Sequence, residues 1–174
     1  MADKHKKHLD LLEVLLKHTG HYMGVGVNHE NKEFKGDFEM LPIVNKKGIF
    51  IEYKSIGTSG VEFNKPESLY NIDTILHNEE HTIIAYDSNN QLSLWTLSSN
   101  IATFVKFELR RYKHISAKRH LFIFGFGNPE NSNIYREEIT LEIWDNGDIS
   151  YNYSWGEPEG HFISRSTIRM KKTH

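Results

Sequence analysis

Glu137 is the carboxylate whose setting could give it unusual chemistry. It belongs to a stretch in which Ile139, Leu141 and Ile143 recur at every second residue, the spacing of a strand with one buried and one wet face. If those three face inward, Tyr135 and Glu137 face inward with them, while Arg136, Glu138 and Glu142 face water. A carboxyl group held beside Tyr135 and Tyr153 is partly desolvated. That raises its pKa and suits it to act as a base or to anchor a ligand. The plainer expectation is a salt bridge to an inward Arg165. His161, just after a turn containing Pro158, offers a neutral imidazole that could ligate a metal or exchange a proton. Strict alternation with an inward Phe162 would instead turn it outward.

Other candidates are weaker. His77-Asn78-Glu79-Glu80-His81 has the His-x-x-Glu-His spacing of inverted zinc proteases, which works because a helix brings positions four apart onto one face. The surrounding pattern is one of strands, so a solvated turn is expected there. The chain has 11 histidines and no cysteine. Five of them (His5, His8, His18, His21 and His29) fall in or near the N-terminal segment, and no four-ligand zinc set can be assembled. Disulfides and thiolate chemistry are excluded. No Ser-His-Asp order or carboxylate pair can be read from spacing, so no catalytic residue is assigned.

Strands must position these groups. Ile149, Tyr151, Tyr153 and Trp155 alternate as their predecessors do, and Asn146-Gly147 between the two runs supplies the positive φ angles of a tight hairpin. Phe162 to Met170 closes the series. Further strands are expected over 21–28, 34–44, from Gly48 through Ile49, Ile51 and Tyr53, over 81–86 and 91–97 about the turn Asp87 to Asn90, and over 101–109 and 120–126. Gly57 to Gly60 reads as a turn, with extended pieces at Val61, Phe63 and 69–76 around Pro66. The one helix spans about 4–17, with Leu9, Leu12 and Leu16 on one stripe and Thr19-Gly20 ending it. About ten strands in meander order favour an all-β, closed, antiparallel up-and-down barrel (20–174) with an N-terminal helix (1–19) packed on it. Gly24 and Gly26, on the face of Tyr22, mark a bend or a close approach.

Composition narrows the classes. A length of 174 residues suits one domain, and 38% hydrophobic with 25% charged residues suits a globular chain. A formal charge of −2 argues against broad nucleic-acid binding, which shows as a basic excess. The basic runs Arg110 to Lys113 and Lys118 to His120 are expected to flank a turn as solvated loop. No signal peptide is read at the charged N-terminus, and no apolar run approaches the ~20 residues of a membrane span. A cytoplasmic protein is the expectation. The run His120 to Phe126 is apolar on both faces, so its outer face calls for cover by the helix or by a second subunit, which makes a homodimer an expectation.

Gly20-His21-Tyr22-Met23-Gly24-Val25-Gly26, following a helix, resembles the opening of calycin-type barrels. Those carry a glycine-x-aromatic signature whose ring lies beneath an arginine of the last strand. The resemblance implies that Tyr22 is the ring and Arg165 or Arg169 the arginine. Gly156 to His161, followed by a basic last strand, is similar to nitrobindin-like and fatty-acid-binding-protein-like barrels. In nitrobindin-like proteins a histidine near the chain end ligates haem, and His161 is the position that matches. The tail from Tyr153 to Ser166 is also similar to an uncharacterised group of bacterial barrel proteins, which brings no function with it. A lumen lined by Tyr22, Tyr53, Tyr151, Tyr153 and Trp155, with Glu137, Arg165 or His161 as polar anchors, is expected to bind a small hydrophobic molecule: a haem, a fatty acid or a similar metabolite. The alternatives are an isomerase or hydrolase using Glu137 or His161 as base, and an interaction module with a filled barrel.

Overall fold

Alternation carries through almost every segment in which the sequence shows it. The computed structural model describes residues 10–57, 76–115, 119–128 and 130–173. Helix α1 (Leu11–Leu16) is followed by ten strands: β1 (Gly20–Asn28), β2 (Glu33–Ile43), β3 (Gly48–Gly57), β4 (Leu76–Tyr86), β5 (Leu92–Ser98), β6 (Ile101–Ile115), β7 (Arg119–Phe126), β8 (Arg136–Trp144), β9 (Ile149–Gly156) and β10 (Ile163–Lys172). Each strand pairs antiparallel with its sequence neighbours, and β1 pairs with β10, so the sheet closes into a barrel. Among the described strands no edge is left to template further pairing. Gly57 ends β3 and Leu76 begins β4; the rest of the expected turn at 57–60, the extended pieces at Val61, Phe63 and 69–75, and the helix before Asp10 lie outside the described residues.

Helix α1 seals one end. Asp10 caps it, its Oδ1 accepting the Leu12 amide at 2.9 Å, and the same oxygen accepts the Tyr86 hydroxyl from the end of β4 at 3.0 Å. Leu12, Val14 and Leu15 enter one core with Tyr22, Met40, Ile49 and Ile84. Tyr22 is fully buried and donates its hydroxyl to the His18 carbonyl; burial pushes its phenol up to about 12. The cation over its ring is Lys172, 5.8 Å from the centroid, not Arg165 or Arg169. Those two lie instead over Trp155 (3.6 Å) and Trp144 (4.4 Å).

Several details depart from the sequence-based expectation. The Asn146-Gly147 turn has positive φ at Gly147 alone. The Gly147 amide donates to Trp144 and the Trp144 amide to Asp148, a type I turn followed by a left-handed glycine rather than a mirror-image turn. Arg110 to Lys113 belong to β6, not to a loop, because β6 runs through a bulge between Leu109 and Arg111 and keeps pairing with β7. His77 to His81 belong to β4 and not to a turn. Arg136 is buried rather than wet; its guanidinium donates to the carbonyls of Ile134, Glu157 and Gly160 and so ties the β9–β10 turn to the start of β8. At Gly24 a Cβ would overlap the Arg169 carbonyl of β10, so the glycine serves the close approach of the strands that shut the barrel.

Candidate functional site

Away from the helix the lumen holds a cavity of about 360 Å³. Its apolar wall comes from Phe34, Phe107 and Ile139, and its rings from Tyr53, Tyr151 and Tyr153. Two buried carboxylates complete it, Glu80 and Glu137, with the exposed Glu30 and Glu33 at the rim. Alternation explains both. Glu80 shares a face of β4 with Thr82 and Ile84, all three buried, and Glu137 shares a face of β8 with Ile139, Leu141 and Ile143. The register sets Glu80 beside Tyr53 of β3 and Ser98 of β5.

Hydroxyl groups hold the two carboxylates in place. Tyr151 reaches across from β9 and donates to Glu80 Oε1 at 2.5 Å, and Thr82 donates to the same oxygen at 2.9 Å. Tyr153 donates to Glu137 Oε1 at 3.0 Å, and Tyr135 donates to that oxygen as well. Glu137 Oε2 is buried and has no hydrogen-bond partner among the described residues. The expected salt bridge from Arg165 to Glu137 is not formed, because a bulge in β10 between Ser164 and Ser166 takes Arg165 onto Trp155.

Burial pushes the Glu80 carboxyl above its usual range; the Tyr151, Thr82 and Thr96 hydroxyls oppose this, and the Glu137 charge adds to it. Burial likewise raises the phenols of Tyr53 and Tyr151, with the charge of Glu80 adding to both. Tyr153 is raised by burial and then by Glu137 and Tyr135. These phenols stay protonated and serve as donors. The cationic groups at the cavity are confined to its rim, where His29 lies and where Lys32 pairs with Glu30 at 2.7 Å.

Of the residues singled out in the sequence, Tyr53, Glu137, Tyr151 and Tyr153 are brought together in the cavity wall, and Tyr22, Trp155 and Arg165 are not. Tyr22 lies in the sealed end. Trp155 and Arg165 form a stacked pair beside Tyr135, whose ring centroid is 6.2 Å from that of Trp155. His161 is exposed in the turn before β10 and does not reach the cavity. Glu80 was missed. Extending the alternation of Thr82 and Ile84 back by one step would have turned it inward. On the opposite face of the same strands, Glu52, Glu79 and His81 bring ligand atoms within 4.8 Å of one another. The Lys54 ammonium already supplies the positive charge there, 2.5 Å from Glu52 and 3.9 Å from Glu79.

The fold and the site define a closed ten-stranded antiparallel barrel with a largely apolar cavity, carrying a few polar groups, at the end away from its helix. Among solved structures the chain is similar to Rv2717c from M. tuberculosis, with a TM-score of 0.66, 9% identity, and coverage of 96% of this chain and 100% of that one. At that identity the likeness shows the fold alone. A de novo designed fluorescence-activating β-barrel matches at a TM-score of 0.42 and 13% identity over 89% of this chain and 93% of its own, below the level of a shared fold. No protein-family model matches the chain. No curated protein matches it in sequence. Among the described residues no helix is long and apolar enough to cross a membrane.

Proposed function

We propose that this protein binds a small molecule inside its barrel, at the end away from α1. The observation that carries the reading is the cavity of about 360 Å³, whose wall joins aromatic and aliphatic side chains to a few convergent polar groups, the composition of small-molecule sites. A barrel packed solid by its own rings would have no such space.

The wall speaks against two of the ligands that the sequence suggested. A fatty acid would bring its carboxylate to Glu80 and Glu137, with no inward lysine or arginine among the described lining residues to receive it. The donor set does not fit haem iron either: the buried polar groups of the lining are carboxylates, phenols and small hydroxyls, the lining histidine His29 is exposed at the rim, and His161 is exposed outside the cavity. Catalysis with His161 as base loses its support for the same reason.

The test combines native mass spectrometry of freshly purified protein with NMR titration of a neutral aromatic probe, phenethyl alcohol. A retained small-molecule mass, or saturable binding of the probe, is expected in the wild type. Both should vanish in Ser98→Trp, which places a large ring at a residue lining the cavity. A chain that carries no adduct and binds no probe would end the reading.

A further inference from the structure

Resting on the lumen-binding reading, the geometry points to a ligand class: a small organic cation, an amine or amidinium on a flat apolar body, whose N–H groups bind the free oxygen of Glu137. Four observations carry this.

The first is the unmet acceptor. Glu137 is 1% exposed, and its Oε1 already accepts from Tyr135 and Tyr153 while Oε2 is buried with no partner among the described residues. A buried carboxylate oxygen without a donor is costly, and a ligand N–H would remove that cost. The second is the sign of the site. Both inward ionisable side chains are acidic, Lys32 at the rim is paired with Glu30, and Arg165 is stacked on Trp155. Charge in such a lumen is balanced by a cation and opposed by an anion.

The third is a division of labour between the carboxylates. Glu80 is enclosed by the Tyr151 and Thr82 hydroxyls, and burial biases it toward its neutral form. Glu137, with one oxygen unmet, is left as the anchor that a ligand can reach. The fourth is the surrounding wall. Tyr53 and Tyr151 sit with ring centroids 5.3 Å apart and a 56° tilt, and Tyr153, Phe34 and Phe107 complete an aromatic surface of the kind that attracts cations as well as flat apolar bodies.

Three probes of matched shape decide it: phenethylamine, phenethyl alcohol and phenylacetate, titrated into the full chain by NMR or calorimetry. A charge-assisted hydrogen bond in place of a neutral one predicts at least roughly tenfold tighter binding of the amine than of the alcohol, with phenylacetate weakest. Glu137→Gln should erase the amine's advantage while the alcohol still binds. Tyr153→Phe, which removes one donor but keeps the charge, should preserve or enlarge that advantage. Equal binding of amine and alcohol, preference for phenylacetate, or an amine preference that survives Glu137→Gln or disappears in a folded Tyr153→Phe would each overturn the assignment. In those cases binding that Ser98→Trp still blocks leaves the lumen reading standing. Failure of all three probes to bind overturns the assignment, and together with the absence of any retained adduct it ends the lumen reading as well.

Discussion

Glu80 and Glu137 differ in how completely their oxygens are met, and the difference has consequences for stability as well as binding. An ordinary glutamate titrates near 4.5. Burial raises Glu80, so the folded chain retains a proton that the unfolded chain releases. The stabilisation is full below the ordinary value and fades as pH rises through the folded one. Glu80→Gln removes that loss while keeping a carbonyl to accept from Tyr151 and Thr82. The variant should therefore melt higher than the wild type at about pH 8, by a margin that shrinks toward about pH 5. A melting point at pH 8 equal to or below that of the wild type would refute the bias. Arg136 is a buried cation whose two terminal nitrogens donate to the carbonyls of Ile134, Glu157 and Gly160, while its Nε has no partner among the described residues. Arg136→Met leaves three acceptors without their donor and is expected to cost about 2–4 kcal/mol in denaturant unfolding. A loss under ~1 kcal/mol would mean that water replaces the clamp.

The elements were largely legible because a period of two survives local noise. β8 and β9 announce their inward faces through Ile139, Leu141, Ile143, Tyr151 and Tyr153, and all five point inward in the barrel. What could not be read depends on bulges and on partners distant in sequence. A bulge carries β6 through Arg110 to Lys113, and another swings Arg165 away from Glu137; neither leaves a mark in alternation. Lys172 over Tyr22 follows from the β1–β10 register, which no local pattern encodes. The outer face of β7 shows the same limit. Leu121 and Ile123 are half-buried within the single chain, Arg110 lies over Gly125, and Arg119 bonds Glu142 at 3.2 Å, so neighbouring charged side chains supply part of the cover expected from the helix or a second subunit. The seam itself can be tested. Gly24→Ala places a methyl group against the Arg169 carbonyl, where backbone must move, and should cost ~1–3 kcal/mol. Leu15→Ala, which deletes a fully buried side chain of α1, should cost ~2–5 kcal/mol. Substitutions at either place that leave unfolding unchanged would show that the closing strand pair, or the helix, does not hold the barrel together.

Across the molecule the two ends hold opposite protonation biases. At the sealed end His18 meets His120, with ring centroids 6.4 Å apart, and His114 stacks on His120 at 4.6 Å. The Tyr112 hydroxyl lies 2.8 Å from His120 Nδ1. Burial lowers the pKa of both His18 and His120. His120, Lys172 and Lys17 lower His18 further, His114 and Lys17 lower His120 further, and Asp145 partly opposes both. These imidazoles are held neutral in the fold, whereas the unfolded chain takes up protons near 6.5. Their stabilisation is thus present above that value and lost as pH falls through the folded pKa values. Glu80, in the lumen, acts with the reverse sign. With a formal net charge of only −2, general self-repulsion is small near neutral pH, so these buried groups should set where stability peaks. Replacing His18 and His120 together by glutamine is expected to flatten the acid limb and move the pH of maximal melting temperature downward. Glu80→Gln should relieve the alkaline limb and move the maximum upward. Melting curves recorded across the pH range for the three proteins decide the matter, and a maximum that stays in place in both variants would show that other groups govern the acid and alkaline limits of this barrel.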